Sequence, residues 1–244
     1  SVDTMTTASG EAYFFGGGLY GNLAAAATTL VYVKLVIAIC DYGVSQRILA
    51  PDVSRKLVHL AAASLMIWWP LFDDSESSWK LNIFVPAVFS IQLFVKGAIL
   101  QNPNDPDVRT MSRTGKPVEL LYGPLIFTIA MNINGLFLFN KPESVYCMAA
   151  LGFGDGVAPL IGKRYPIFKY KCPGGIKSFG GSMAVFVASV LGFFFLQSIL
   201  GFPETTEWSK ICSMALTATI AEALAPVDFD NVTVPLAVYF VVKQ

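Results

Sequence analysis

Between Gly152 and Ser182 the chain reads GFGDGVAPLIGKRYPIFKYKCPGGIKSFGGS, and the residue types in this stretch are those of phosphate chemistry. A single acid, Asp155, stands between Gly154 and Gly156 near the end of an apolar run. Lys163, Arg164, Lys169, Lys171 and Lys177 follow with no carboxylate among them. An acid is costly inside a bilayer, which makes Asp155 a functional candidate by default. Glycines on either side would let backbone N–H groups approach a ligand, and the lysines supply the field an anion needs. Asp155 also suits Mg²⁺, which takes one or two carboxylates together with phosphate oxygens. Its plainer use is to cap a broken helix at an interface. The run from Gly174 through Gly175, Lys177, Ser178, Gly180, Gly181 and Ser182 would cradle an anion at the N-terminus of the helix that follows. It is not a Walker A loop: the nearest match, Gly156 to Lys163, has one residue too many and Arg164 where a hydroxyl is needed. The plainer alternative is a hairpin with Ser182 as the helix cap.

Four further clusters carry chemistry-bearing residues. His59, the one histidine of the chain, lies four residues after Arg55 and three after Lys56, so all three share a helical face. It could contact a phosphate, polarise a hydroxyl, or simply bond a neighbouring helix. Arg113 and Glu119 flank the start of another apolar run beside Pro117. Glu119 there favours the helix dipole, and its position keeps it as a candidate base or metal ligand. Glu222 lies within the apolar ATIAEALAP and needs a partner inside the bundle. Asp228, Asp230 and Asn231 offer two carboxylates and an amide, a set suited to Mg²⁺ or a ribose, or else an acidic loop.

These clusters need elements to hold them. With 54% hydrophobic and only 14% charged residues, and a mean hydropathy of +0.57, the chain is too apolar for an ordinary soluble domain. Lys and Arg balance Asp and Glu, so net charge points to no nucleic-acid partner. Cys40, Cys147, Cys172 and Cys212 are scattered without CxxC spacing and read as reduced packing residues. Apolar runs fall at about 17–40, 57–72, 82–100, 120–139, 144–161, 183–203, 211–226 and 232–242. They predict an all-α polytopic transmembrane bundle of seven or eight helices. The first four and the sixth are the convincing spans, and glycines interrupt the fifth. Residues 1–16 read as a tail and 17–244 as one domain; the start at Ser1 leaves open what precedes it. Lys34 and Lys96 are expected to snorkel. Trp68, Trp69 and Trp79 are expected in an interfacial belt. Phe186, Phe193, Phe194 and Phe195 face lipid, pack, or line a slot for a long tail.

The loops sort by sign. Arg47, Arg55 and Lys56, then Arg109, Arg113 and Lys116, then the five basic residues after Gly162 fall on alternate connections. Asp73, Asp74, Glu76, Glu143, Glu204 and Glu207 fall on the others, with Lys80, Lys141 and Lys210. The positive-inside rule places the first set on the cytosolic or stromal side. Every unusual polar cluster then converges on one membrane face, as a single site would require.

Arg55-Lys56-Leu57-Val58-His59, Ser112-Arg113 with Glu119-Leu120-Leu121-Tyr122-Gly123-Pro124, Gly154-Asp155-Gly156, Lys177-Ser178-Phe179-Gly180-Gly181-Ser182 and Asp230-Asn231-Val232-Thr233-Val234-Pro235 together resemble the phytol kinase and farnesol kinase family, polytopic membrane enzymes related to dolichol kinase. The resemblance runs in order from about residue 52 to the C-terminus. It implies transfer of the γ-phosphoryl group of CTP, or another nucleotide, to a prenyl alcohol in a plastid membrane. Asp155 and Asp230, with Asn231, would then hold Mg²⁺. Lys177 and the glycine-rich turn, with Arg55, Lys56 and Arg113, would hold phosphates, and His59 or Glu119 would orient the alcohol. Two positions depart from the pattern: Pro159 stands where relatives usually carry an acid, and Phe229 replaces the first acid of Asp-Asp-Asn. A rival function is a non-catalytic membrane subunit that binds pigment, lipid or a photosynthetic complex. A nucleotidyltransferase would share the same polar face. A transporter fits less well, because the polar residues gather at one surface rather than at the midplane.

Overall fold

The computed structural model describes residues 13–173, 175–202, 207–226 and 229–243. Expectations for the tail before Tyr13, and for Gly174, Glu204 and Asp228, fall outside the described residues. Each of the eight apolar runs is helical. α1 is Gly18–Ser45. α2, Pro51–Ala63, starts with proline in its first turn, where the missing N–H costs nothing, and passes into 3₁₀ turns over Ser64–Leu71. α3, Phe84–Phe94, is preceded by 3₁₀ turns and followed by a π-helical stretch, Val95–Leu100. α4, Pro106–Met111, is short; the Asp105 carboxylate accepts from the Asp107 N–H at its start. α5, Gly123–Phe137, follows the 3₁₀ turns Pro117–Leu121. α6 (Pro142–Met148), a π-helical stretch (Ala149–Gly154) and α7 (Asp155–Arg164) form one rod. Strands β1 (Lys169–Cys172) and β2 (Gly175–Ser178) make an antiparallel hairpin with Lys169 opposite Ser178. α8 (Phe179–Leu200), α9 (Trp208–Leu224) and α10 (Asp230–Val242) complete the chain.

The architecture is the expected all-α bundle. Five helical segments, Gly18–Ser45, Ser77–Leu100, Pro117–Phe137, Pro142–Arg164 and Phe179–Leu200, are long and apolar enough to cross a membrane, and Asp230–Val242 is a shorter apolar helix. The second and fifth runs exchange roles relative to the expectation. The second is not among the five, because α2 carries Arg55, Lys56 and His59 and ends in 3₁₀ turns containing Pro70. The fifth, despite its glycines, is the central rod: 67% of its apolar window is buried, against 28–33% for the other four.

Those glycines explain the centrality. A β-carbon on Gly152 would overlap that of Ala63 in α2, and one on Gly154 would overlap the Ser189 hydroxyl of α8. On the facing helix, a β-carbon on Gly192 would come within 2.6 Å of the Phe153 side chain. Small residues at such crossings let helix backbones approach closely and gain packing that lipid alone does not give. Leu151 and Ala150 at the rod's centre, and Val185 and Leu196 of α8, are fully buried.

At the end of the bundle away from the basic loops, the Asn22 amide donates to the Asp73 carbonyl (3.0 Å) and accepts from its N–H (2.7 Å), fastening α1 to the loop after α2. Trp69 and Trp79 pack on Phe139 with ring centroids 5.0 and 4.9 Å apart, forming an aromatic cluster at this end. The Lys96 ammonium reaches past its helix end to pair with Asp105 (2.8 Å) and Asp107 (2.6 Å). Lys34 lies 5.0 Å over the Phe89 ring.

Overpacking the central crossing is the direct test of this arrangement. Gly152→Val should lower stability by about 1–3 kcal/mol or more, read as a lower unfolding temperature in detergent. An unchanged melting temperature would show that the rod and α2 are not in this contact.

Candidate active site

α2 and the rod cross with their polar residues facing one another. The Lys56 ammonium donates to the Asp155 carboxylate and to the Asp155 backbone carbonyl, each at 3.0 Å. Both side chains are nearly inaccessible, at 4% and 3%. One turn along α2, His59 Nε2 donates to the Leu151 carbonyl at 3.0 Å, in the π-helical stretch, and lies 3.5 Å from the Asp155 carboxylate. The His59 ring packs on Phe127 of α5, centroids 4.0 Å apart. α10 brings Asp230 and Asn231 to the same place, held by the Asn231 amide donating to the Gly123 carbonyl at 3.0 Å.

Two cavities meet at this crossing. One is polar, about 800 Å³, and is walled by α2, α7, the β-hairpin, the start of α8 and the end of α9, with Lys163, Lys169, Lys177, Ser178, Gly181 and Ser182 along it. The other is apolar and runs between α1, α2, α3 and α5, past His59, Phe89, Phe127 and Met131. Arg55, Lys56, Arg113, Asp155 and Asp230 line both. Charged side chains from α2, α7, α10 and the loop before α5 therefore stand where a water-side chamber opens onto an apolar groove.

The structure brings together most of the residues singled out in the sequence and changes the role of several. Asp155, Lys56, Arg55, His59, Arg113, Asp230 and Asn231 line the junction. Lys177 reaches the polar cavity with its ammonium on Glu222, donating to the Glu222 carbonyl at 2.6 Å and pairing with its carboxylate. This is the partner inside the bundle that Glu222 requires. Ser178 rather than Ser182 caps α8, accepting from the Gly181 N–H at 3.2 Å. Ser182 instead shares a hydrogen bond with the Tyr170 hydroxyl. Gly154 and Gly156 line neither cavity: Gly154 faces α8, and a β-carbon on Gly156 would touch His59 and Leu60 of α2 at 3.5–3.9 Å. They are helix-packing glycines, not phosphate-approach glycines. Gly180 lies against the Tyr165 carbonyl, at 2.5 Å from where its β-carbon would be. Glu119 is also elsewhere. Its carboxylate accepts from the Arg113 N–H (2.6 Å), the Thr114 N–H (3.0 Å) and the Thr114 hydroxyl (2.6 Å), closing the loop before α5.

Other site residues gave little or no signal in the sequence. Asp52, at the start of α2, pairs with Lys163 of α7 across the mouth of the polar cavity. The hydrogen bond from Lys163 holds its carboxyl below the usual carboxylate range. Its spacing of three and four residues from Arg55 and Lys56 was the available sign. Phe127 gave none. The phenylalanines of α8 do not line the apolar cavity; Phe193 is buried against Tyr146, centroids 4.5 Å apart.

The donor set fits a hard divalent cation. The Asn231 side-chain oxygen is buried without a hydrogen-bond partner, and it lines the same cavity as Asp155 and Asp230. Among the described residues no three His, Cys, Asp or Glu side chains cluster as a self-sufficient metal site. Two carboxylates and an amide oxygen, completed by phosphate oxygens, are nevertheless within the habits of Mg²⁺.

Fold and site together define an all-α bundle, with helices long enough to cross a membrane, that gathers Arg55, Lys56, His59, Arg113, Asp155 and Asp230 around a two-chambered site at one end. No family model matches the chain, and no solved structure does. Curated plant proteins do match it. The "Probable phytol kinase 1, chloroplastic" of Glycine max is 32% identical over 203 residues, 79% of this chain and 66% of that protein. The "Phytol kinase 1, chloroplastic" of Arabidopsis thaliana is 29% identical over 205 residues, 79% of this chain and 66% of that protein. The "Probable phytol kinase, chloroplastic" of Zea mays is 30% identical over 217 residues, 84% of this chain and 71% of that protein. The chain belongs to the phytol kinase family. It spans just under two thirds of the length of the first two of these relatives.

Lys56→Met should destabilise the fold by about 3–5 kcal/mol, because it strands the Asp155 carboxylate in a buried site. The double variant Lys56→Met/Asp155→Leu should recover most of that loss in a thermal or denaturant melt. A single variant as stable as the parent would mean that the pair is not buried as described.

Proposed function

We propose that the protein is a membrane-embedded kinase that transfers the γ-phosphoryl group of a nucleotide, CTP by family resemblance, to a prenyl alcohol. The observation that carries this reading is the shared wall of Arg55, Lys56, Arg113, Asp155 and Asp230 between a polar and an apolar cavity. Such a reaction joins a highly charged donor to a hydrocarbon acceptor, and each needs its own compartment. The polar cavity lies within the size range of nucleotide-binding clefts. The apolar groove takes the alcohol's tail and presents its hydroxyl at the junction.

Phosphoryl transfer depends chiefly on positioning and on neutralising charge. The alcohol oxygen forms a bond to the γ-phosphorus as the bridging bond to the β-phosphate breaks. The nucleoside diphosphate leaves, and the alcohol proton passes to a carboxylate at the junction. Lys56, Arg55, Arg113 and Lys177 supply positive charge to the phosphates. His59 bounds the place where the hydroxyl would sit. Asp155, Asp230 and the Asn231 oxygen would hold Mg²⁺, which would supply positive charge to offset that of the phosphates. Taking up this role requires Lys56 to leave Asp155 for a phosphate, a short movement for a flexible ammonium. The names of the relatives support a plastid location, and the positive-inside rule would put the basic loops on the stromal side.

The rival is a family fold kept as a lipid- or pigment-binding subunit of a larger membrane complex. Its supporting observation is Pro159, which lines the polar cavity where an acid is the family habit.

The deciding experiment supplies purified protein in nanodiscs with radiolabelled CTP or ATP, Mg²⁺, and phytol or farnesol. The expected result is a labelled prenyl monophosphate, reduced by at least about a thousandfold in Asp155→Asn. Folded wild-type protein that makes no product from any combination would establish the subunit reading. Glu119→Gln, which alters a loop rather than the junction, should keep turnover within about threefold of wild type while lowering the melting temperature. A loss comparable to that of Asp155→Asn would return Glu119 to the site.

A further inference from the structure

We infer that Glu222 is a positioning residue for the phosphate donor, acting through Lys177. Its carboxylate and main-chain carbonyl hold the Lys177 ammonium, and with it the β-hairpin, against the polar cavity. This rests on the reading of the polar cavity as the nucleotide's compartment and names the residue that prepares it.

The need for an outside donor is set at the end of α9. A helical carbonyl ordinarily accepts from the N–H four residues on, and the last carbonyls of a helix lose that partner. For Glu222 the residue four on is Pro226, which has no N–H to give. The Glu222 carbonyl, just before α9 ends at Leu224, therefore has to find a donor outside the helix. Its carboxylate makes a similar demand, because Glu222 is buried, with buried Ala218 one turn before it. One ammonium meets both. Lys177 donates to the carbonyl at 2.6 Å and pairs with the carboxylate. A cation there also complements the negative end of the helix dipole.

The hairpin in turn needs an anchor. β1 and β2 have four residues each, and an isolated two-stranded hairpin is marginal at best in water. Its base is tied by the Phe179 N–H, which donates to the Ile167 and Phe168 carbonyls at 3.0 and 3.1 Å. Tyr170 and Lys177 stand opposite one another and so share a face. Tyr170 bonds Ser182 of α8 and Lys177 bonds Glu222 of α9, which clamps this face to two helices. Lys171 and Ile176, opposite one another on the other face, are exposed.

An ammonium carries three N–H donors. Glu222 takes two of them, and among the described residues the third has no acceptor, on a side chain that lines the polar cavity. Ordering a lysine on its flexible stem costs conformational entropy. With Glu222 present that cost falls on folding, so a phosphate meets a donor already in place. The carboxylate also subtracts from the positive field that a phosphate feels, so its two effects have opposite signs. Order dominates here. Arg55, Lys56, Lys163 and Lys169 also line the cavity, so one carboxylate removes only a fraction of the field. Releasing Lys177, by contrast, frees a strand along with the side chain.

The test uses the full chain in nanodiscs and equilibrium binding of radiolabelled CTP or ATP with Mg²⁺, without alcohol. Glu222→Gln should weaken binding about tenfold, and Glu222→Asp, which keeps the charge, should recover most of the loss. In a Lys177→Met background, Glu222→Gln should change the affinity by less than about twofold, because the two residues act as one unit. Unchanged or tighter binding by Glu222→Gln, or the same loss with and without Lys177, overturns the proposal. A second readout needs no nucleotide. Tryptic cleavage of folded protein after Lys169 and Lys171 should be about tenfold faster in Glu222→Gln than in wild type. Equal rates would show that Glu222 does not hold the hairpin. Should wild type bind neither nucleotide, the donor reading fails and the positioning role with it, while the proteolysis still decides whether Glu222 anchors the hairpin.

Discussion

The buried pair of Lys56 and Asp155 is the interaction on which the site depends. A carboxylate taken out of water costs several kcal/mol, and only a partner with good geometry and further hydrogen bonds offsets this. Here the Lys56 ammonium satisfies both the side chain and the main-chain carbonyl of Asp155. That arrangement fixes α2 against the central rod at one register. Rotating either helix by a residue would turn one charge toward packed side chains and leave the other unpaired. The pair therefore specifies how the bundle assembles at this end as much as it strengthens it.

Such a pair needs helices that approach very closely, and glycine makes that possible. Gly152 admits Ala63 of α2, Gly154 admits Ser189 of α8, and Gly192 of α8 admits Phe153 of the rod. The π-helical stretch Ala149–Gly154 lies in the same segment and ends where Asp155 begins. A π-helical stretch shifts the angular position of everything after it, and such stretches are frequent at functional sites. The rod enters as a packing helix and, past the stretch, presents its acid to Lys56. Packing and chemistry thus share about ten residues, which is why the glycines beside Asp155 serve the helices rather than a ligand.

Much of this was legible in the sequence, for a physical reason. A polypeptide whose runs are this apolar has few ways to satisfy its backbone other than helix. The runs at about 120–139 and 144–161 accordingly appear as helical segments Pro117–Phe137 and Pro142–Arg164. Polar residues in such runs are few enough that their gathering at one end could be read from the signs of the loops. Individual tasks were not legible, because they depend on who stands opposite. Glu119 beside a helix start looks the same whether it faces a cavity or the N–H groups of Arg113 and Thr114. Glu222 announced the need for a partner but not that a β-hairpin would deliver Lys177. The charges on α2 marked it as functional, yet its apolar second half made it look like a spanning helix.

The two cavities also explain why the site lies at one end of the bundle rather than in its middle. A nucleotide carries charge that the centre of an apolar bundle could not accept, and a prenyl tail has no reason to enter a water-filled chamber. A kinase acting on both must place the reacting atoms at a boundary, with the ionisable groups on the boundary itself. Arg55, Lys56, Arg113, Asp155 and Asp230 meet that demand because each lines both spaces. The chain reaches this arrangement partly with helix starts: α2 and α10 begin at this level, where their first-turn acids Asp52 and Asp230 also complement the helix dipoles, whereas Asp155 stands inside the continuous rod and relies on Lys56. The same constraint that makes an acid cheap at a helix start in an apolar bundle therefore places Asp52 and Asp230 beside the chamber, and the buried pairing with Lys56 places Asp155 where the proposed transfer needs it.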